Sequence, residues 1–177
     1  MAKGTKKQGT VREFSAGGVV FKREDSKILW LVRKQAVLPK SLYPKDTWNL
    51  PKGWLDDEDE AVPGPLTKGE KKATEEDLRK TALREVKEEG GVEVKIIEKI
   101  GTLRYFFTST RGKALKFVTF YLMEHVRDLP EGHDHETEEI AWLPFEKARK
   151  KLSYSNEKKI ISKAKTLLDS GIQENLI

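Results

Sequence analysis

Between Arg84 and Val92 the chain reads Arg-Glu-Val-Lys-Glu-Glu-Gly-Gly-Val, which places Glu85, Glu88 and Glu89 within a single helical turn. On a helix advancing about 100° per residue, with Glu85 at zero, Glu88 falls at about 300° and Glu89 at about 40°. The three acids therefore share one narrow arc. Ala82, Val86 and Leu83 occupy the adjoining arc and predict the face that docks on a sheet, while Lys80, Arg84 and Lys87 are left for water. Like charges at these spacings repel by about 0.2–0.5 kcal/mol on an exposed helix, and by more where water is excluded. The negative end of the helix dipole adds to the cost. A divalent cation reverses the sign of every one of these terms. Oxygen donors without cysteine favour a hard ion, Mg2+ first and Mn2+ second. Glutamates on a lysine-rich helix also suit a solvated face, and spacing alone leaves both readings open.

The surrounding elements decide where such a helix would sit. Thr74 followed by Glu75, Glu76 and Asp77 predicts its start, and Gly90-Gly91 its stop. Ser15–Phe21 and Lys27–Arg33 read as apolar, β-branched strands around the turn Arg23–Ser26. Further strands are expected at Glu93–Tyr105, Leu115–Glu124 and Ile140–Leu143, with a hairpin loop at 108–113. Pro144 suits the first residue of a helix. Ser155 or Asn156 can cap a last helix to about Leu168, closed by Gly171. Residues 1–12 read as a basic flexible tail, and 13–177 as one domain. Asp56–Lys72, acidic and then turn-rich with no apolar period, reads as a surface insertion rather than an element.

Composition narrows the chemistry. The 177 residues hold no cysteine, which excludes disulfides, cysteine zinc sites and thiol nucleophiles. Charged residues make up 36% and the hydrophobic set 37%, polar for a globular domain but too apolar for wholesale disorder. The net charge of +5 suits a substrate with several phosphates, only weakly. No apolar run approaches the roughly 18 residues of a membrane span, and the first residues lack the apolar centre of a signal peptide. A soluble, cytoplasmic protein is expected, monomer or homodimer, with no membrane and no nucleic acid as partner.

The segment resembles the box of the Nudix hydrolases, G-x5-E-x7-R-E-U-x-E-E-x-G-U, where U is a bulky aliphatic residue. Arg84-Glu85-Val86-x-Glu88-Glu89-x-Gly91-Val92 matches its second half at every defined position. Leu50-Pro51-Lys52-Gly53-Trp54 resembles the strand and loop that bear the first glycine, and Glu76 fits the lone glutamate. Ala16–Val20 and Glu139–Pro144 are similar to flanking segments of the family. The interval from Gly53 to Arg84 exceeds that of the box by 17 positions, which the 56–72 insertion would supply.

The resemblance implies an α+β fold, an α/β/α sandwich with a mixed sheet between helices and a loop–helix–loop catalytic motif. It implies Glu85, Glu88, Glu89 and the Gly53 carbonyl as metal ligands, with Arg84 orienting a carboxylate. For a general base it offers Glu136, Glu138 and Glu139 beside His133 and His135, and Glu139 is counted among the catalytic residues. Lys52, Arg104 and Lys116 are expected phosphate contacts, and Tyr105 a ring for a base. The implied activity is metal-dependent hydrolysis of a diphosphate linkage in a small nucleotide-type substrate, a dinucleoside polyphosphate first. Nucleoside triphosphates or oxidised nucleotides, diphosphoinositol polyphosphates, and a non-catalytic nucleotide- or RNA-binding module are the alternatives.

Overall fold

A computed structural model describes residues 9–39, 44–59, 61–109 and 112–174. The strands are β1 (Val11–Glu24), β2 (Lys27–Gln35), β3 (Trp48–Asn49), β4 (Lys52–Trp54), β5 (Asp57–Asp59), β6 (Val62–Pro63), β7 (Val92–Ser109), β8 (Gly112–Asp128) and β9 (Thr137–Pro144). The helices are α1 (Pro65–Lys68), α2 (Glu75–Gly90), α3 (Phe145–Lys151) and α4 (Ser155–Glu174). A seven-stranded sheet runs β3-β2-β1-β8-β7, with β4 paired to β1 and β9 to β2. Only the β1–β8 ladder is parallel among its described pairings, so the sheet is mixed as expected.

Strand β1 is central and buried on both faces over 15–21, which explains its nearly unbroken apolar run. Alternation sends Val19 and Phe21 to one face, where they pack with Trp30, Phe120, Leu122 and the α4 residues Ile161 and Leu168. Ala16 and Val20 go to the other, against Leu31, Met123 and the α2 residues Ala82 and Val86. Helices thus cover both faces, and the expected α+β sandwich is the architecture found.

Several boundaries differ from the sequence reading. Strand β1 starts at Val11, inside the stretch read as tail, because Val11 and Arg12 extend the ladder to Ala114 and Leu115; residues 1–8 lie outside the described residues. The 56–72 segment is built rather than plain loop. Strands β5 and β6 pair, and the Asp56 carboxylate accepts the Leu66 and Thr67 N–H groups at 3.0 and 2.8 Å, which caps α1. Polar backbone bonds of this kind leave no hydrophobic period to read. Pro144 ends β9 and caps α3 instead of opening it. Helix α4 passes through Gly171, which has no positive φ to turn the chain out.

Helix α2 holds to its predicted limits. Thr74 and Asp77 form a reciprocal capping box at 2.8 and 3.1 Å, and Gly91 closes the helix in the left-handed region at φ 67°. Leu83 departs from the docked face. It is 37% exposed and lines a groove of about 400 Å³ with Leu55 and Leu66, while Thr81 is buried in its stead.

Candidate active site

Docking of Ala82 and Val86 carries Glu85 and Glu89 inward with them. Both are less than a tenth exposed, at 8% and 4%, whereas Glu88, on the far side of the arc, remains half-exposed. The ordering follows the helical angles: Glu89 lies nearest the apolar stripe and Glu88 farthest from it.

Strand β4 is the surface they meet. Gly53 pairs with Ala16 and faces α2, and the Glu85 carboxylate occupies the space where a Cβ on residue 53 would stand. Glycine is required there for close approach of backbone and acid. Arg84 Nη2 donates to Glu85 Oε1 at 2.8 Å and to the Trp54 carbonyl at 2.8 Å, so it ties the helix to β4 and orients Glu85. Its Nε is 4.0 Å from Glu88.

Glu89 is held differently. The Lys52 N–H donates to its Oε2 at 2.8 Å, and Arg33 Nη1 lies 3.4 Å from its Oε1. Arg33 is 1% exposed and fully engaged. It donates to Thr137 Oγ1 at 2.7 Å, to Gln35 and Asn49 Oδ1 at 2.7 and 2.8 Å, and to the Glu136 carbonyl at 2.6 Å. Thr137 in turn donates to the Glu89 carbonyl at 2.9 Å. One guanidinium therefore joins β2, β3, the loop before β9 and the end of α2. Sequence reasoning passed over Arg33. The available signal was its place two residues after Leu31, on the alternation that points into the α2 face.

Burial pushes the Glu89 carboxyl up to about 8, with Arg33 opposing and Glu85 adding to the rise. Glu85 is also raised, first by burial, with Arg84 opposing and the charges of Glu88 and Glu136 adding. Glu136 is raised by loss of water around its carboxylate and then by Asp134. The loop from His133 to Glu136 is stitched to the helix, since the Asp134 N–H donates to the Glu88 carbonyl at 2.8 Å. Two buried oxygen donors that repel each other against bare backbone fit a hard divalent cation in donor chemistry. The side chains are not gathered around one, however. Among the described residues no group of three or more His, Asp or Glu is close enough to hold a metal, because Glu88 leans toward Arg84 and Glu89 toward Arg33.

The other expected site residues divide between the two faces. Tyr105 and Lys116 are partners across β7 and β8, and Lys116 Nζ lies 5.3 Å from the centre of the Phe107 ring. Lys52, which alternates with Gly53, points to the same α4 face, where its Nζ is 3.1 Å from Glu157 Oε1. Arg104 is exposed opposite Phe117, on the other face. Glu139 does not join the box: it is exposed on β9, and alternation groups it with Ala141 and Leu143 on the α4 face. The structure brings Glu136 into the field of Glu85 and Glu88 instead. Glu76 is exposed in the first turn of α2.

A helix bearing buried carboxylates against a glycine strand, on one face of a mixed sheet closed by helices on both sides, defines a class that known proteins share. The family description "NUDIX domain" matches residues 12–164, and the chain belongs to that family. It is 27% identical over 171 residues to the putative mutator protein MutT4 of Mycobacterium tuberculosis (strain CDC 1551 / Oshkosh), a match covering 94% of this chain. The chain spans 60% of the length of that relative. Its fold is similar to that of a C. elegans Ap4A hydrolase binary complex, with TM-score 0.62, 21% identity and coverage of 89% of this chain and 98% of the other. It is also similar to the NUDIX domain of Shewanella oneidensis NrtR complexed with ADP ribose, with TM-score 0.60, 15% identity and 90% coverage of each chain. Among the described residues no helix is long and apolar enough to cross a membrane.

Proposed function

We propose that this chain is a divalent-metal-dependent hydrolase that cleaves a diphosphate linkage in a nucleoside diphosphate derivative, with a dinucleoside polyphosphate as the first candidate. The observation that carries this reading is the burial of Glu85 against Gly53 and of Glu89 on the N–H of the neighbouring Lys52, an arrangement whose mutual repulsion a divalent cation would relieve. Gly53, Glu85, Glu88 and Glu89 would hold the ion, Mg2+ or in its place Mn2+. Such an ion, when bound, neutralises charge on diphosphate oxygens and lowers the pKa of a water.

The protein's own groups position and bind. Arg84 aims Glu85 at Gly53 through its paired hydrogen bonds. Arg33 and the Lys52 N–H keep Glu89 extended along β4. Glu88, half-exposed and loosely paired, is the acid with room to turn inward. Arg104, exposed on the face of the sheet that α2 covers, supplies positive charge for a polyphosphate chain there, while Lys52, Lys116 and Tyr105 lie on the α4 face, across the sheet from the box. Phosphoryl transfer depends on position and charge more than on a covalent nucleophile, in keeping with a chain that has no cysteine. The likeness to the Ap4A hydrolase supports the choice of substrate.

The test is a product assay with Mg2+ over diadenosine tetraphosphate, ADP-ribose, nucleoside triphosphates and diphosphoinositol polyphosphates. Nucleotide release from diadenosine tetraphosphate is expected, abolished by chelator and by Glu88→Gln. Nucleotide or RNA binding without turnover of any of them would put a binding module in place of the hydrolase.

A further inference from the structure

Glu157 lies on α4, across the sheet from the box helix, and is 3% exposed. Its Oε2 accepts the Leu50 N–H at 3.4 Å, and its Oε1 stands 3.1 Å from Lys52 Nζ. The N–H of the same Lys52 donates to Glu89 on the opposite face at 2.8 Å. Lys52 is thus gripped from both sides of the sheet, by its side chain from α4 and by its backbone from α2. The next residue is Gly53, against which Glu85 packs. Pro51, between the two gripped residues, has no N–H, and its carbonyl accepts from Gly18 at 3.1 Å.

A buried ion pair of this kind is a poor source of stability, since apolar side chains of similar volume often serve as well or better. What it does supply is geometry. Strand β4 is only three residues long, too short for its ladder to β1 to fix it alone. We propose that Glu157 is a positioning residue for the box: by holding Lys52 and Leu50 it sets β4 at the height where the Lys52 N–H meets Glu89 and Gly53 meets Glu85. Its effect on turnover rests on the hydrolase reading; its effect on β4 does not.

The test uses the full chain with Glu157→Gln, Lys52→Met and the double variant, and Ile161→Val as a core truncation on the same helix. Amide exchange at Lys52 is followed by NMR in metal-free protein, Mn2+ affinity by electron paramagnetic resonance, and kcat and KM with diadenosine tetraphosphate. In each single variant the Lys52 N–H is expected to exchange faster, Mn2+ affinity to fall about tenfold and kcat to fall with KM nearly unchanged, as for other groups that support metal ligands. The double variant should be no worse than either single one, and Ile161→Val should lower the melting temperature without these shifts. Should Glu157→Gln fail to fold, Lys52→Met carries the same comparison. Unchanged Lys52 exchange in a folded variant, or losses that multiply in the double variant, would overturn the proposal. A wild-type protein with no Mn2+ affinity and no turnover would sink the hydrolase reading instead, with amide exchange still deciding the role of Glu157.

Discussion

Arg33 Nη1 and Glu89 Oε1 lie 3.4 Å apart at the centre of the α2 face, and both side chains are almost wholly buried. The guanidinium has further partners on Thr137, Asn49, Gln35 and the Glu136 carbonyl, so it opposes the acid without depending on it. Removing the guanidinium would leave its acceptors on Thr137, Asn49, Gln35 and the Glu136 carbonyl without their donor, beside a carboxyl that burial already pushes up to about 8. Arg33→Met should therefore cost about 3–5 kcal/mol, and Arg33→Lys should recover little of it, since an ammonium cannot reproduce the planar fork. Urea unfolding of the two variants checks this; a lysine variant near wild-type stability would show that charge alone suffices.

Glu85 presents the reverse case. Its partner Arg84 is partly exposed, so neutralising the acid strands no buried charge, and the repulsion from Glu88 and Glu136 disappears. In metal-free protein Glu85→Gln should raise stability by about 0.5–1 kcal/mol, which for a chain of this size is about 1–4 °C in melting temperature. Mg2+ should raise the melting temperature of the wild type and not that of the variant. Thermal scans with and without Mg2+ decide it, and a variant still stabilised by Mg2+ would remove Glu85 from the ligand set.

Much of this site was legible in the sequence because helical geometry is local. The caps Thr74 and Gly91, the arc of Glu85, Glu88 and Glu89, and the burial of Val86 all follow from residues within one element. The glycine of Leu50–Trp54 was legible through its resemblance to the box. Arg33 and Glu157 were not, because their significance comes from partners many residues away in the chain, which no period or spacing encodes. The fold of 56–72 was hidden for a related reason, since Asp56 caps a helix that begins nine residues later. Leu83 misled because Thr81 could bury its hydroxyl on the Leu55 carbonyl, at 3.3 Å, and so displaced the expected leucine from the docked stripe.

The same long-range geometry separates the loop acids. Glu136 adds its charge to Glu85 and lies in a loop bonded to the end of α2, whereas Glu139 sits on the opposite face of β9. Glu136→Gln should lower kcat by about tenfold or more, and Glu139→Gln by less than about twofold, if proximity to the box sets the role. Steady-state kinetics on diadenosine tetraphosphate compare them. The opposite ranking would restore Glu139 as the catalytic acid or base of the loop.

At the start of α2, the Tyr121 hydroxyl donates to Glu75 Oε1 at 2.7 Å, and Lys99 Nζ lies 2.8 Å from Glu75 Oε2. The Lys99 hydrogen bond and then that of Tyr121 hold the Glu75 carboxyl below its ordinary value of 4.5. An acid whose pKa is lower in the folded chain adds stability above its unfolded pKa and loses it as pH falls through the folded one. The link between α2 and β8 should therefore weaken below about pH 4.5 and be constant at neutral pH. Because Glu75 is half-exposed, the loss stays at about 1 kcal/mol or less. Tyr121→Phe keeps the ring in the core and removes only the hydroxyl, so it should flatten part of this acid limb while costing about 1 kcal/mol at pH 7. Unfolding free energies of wild type and Tyr121→Phe between pH 3 and 7 measure both effects. A difference between the two proteins that stays constant across that range would mean that the hydroxyl contributes by packing and not through the charge on Glu75.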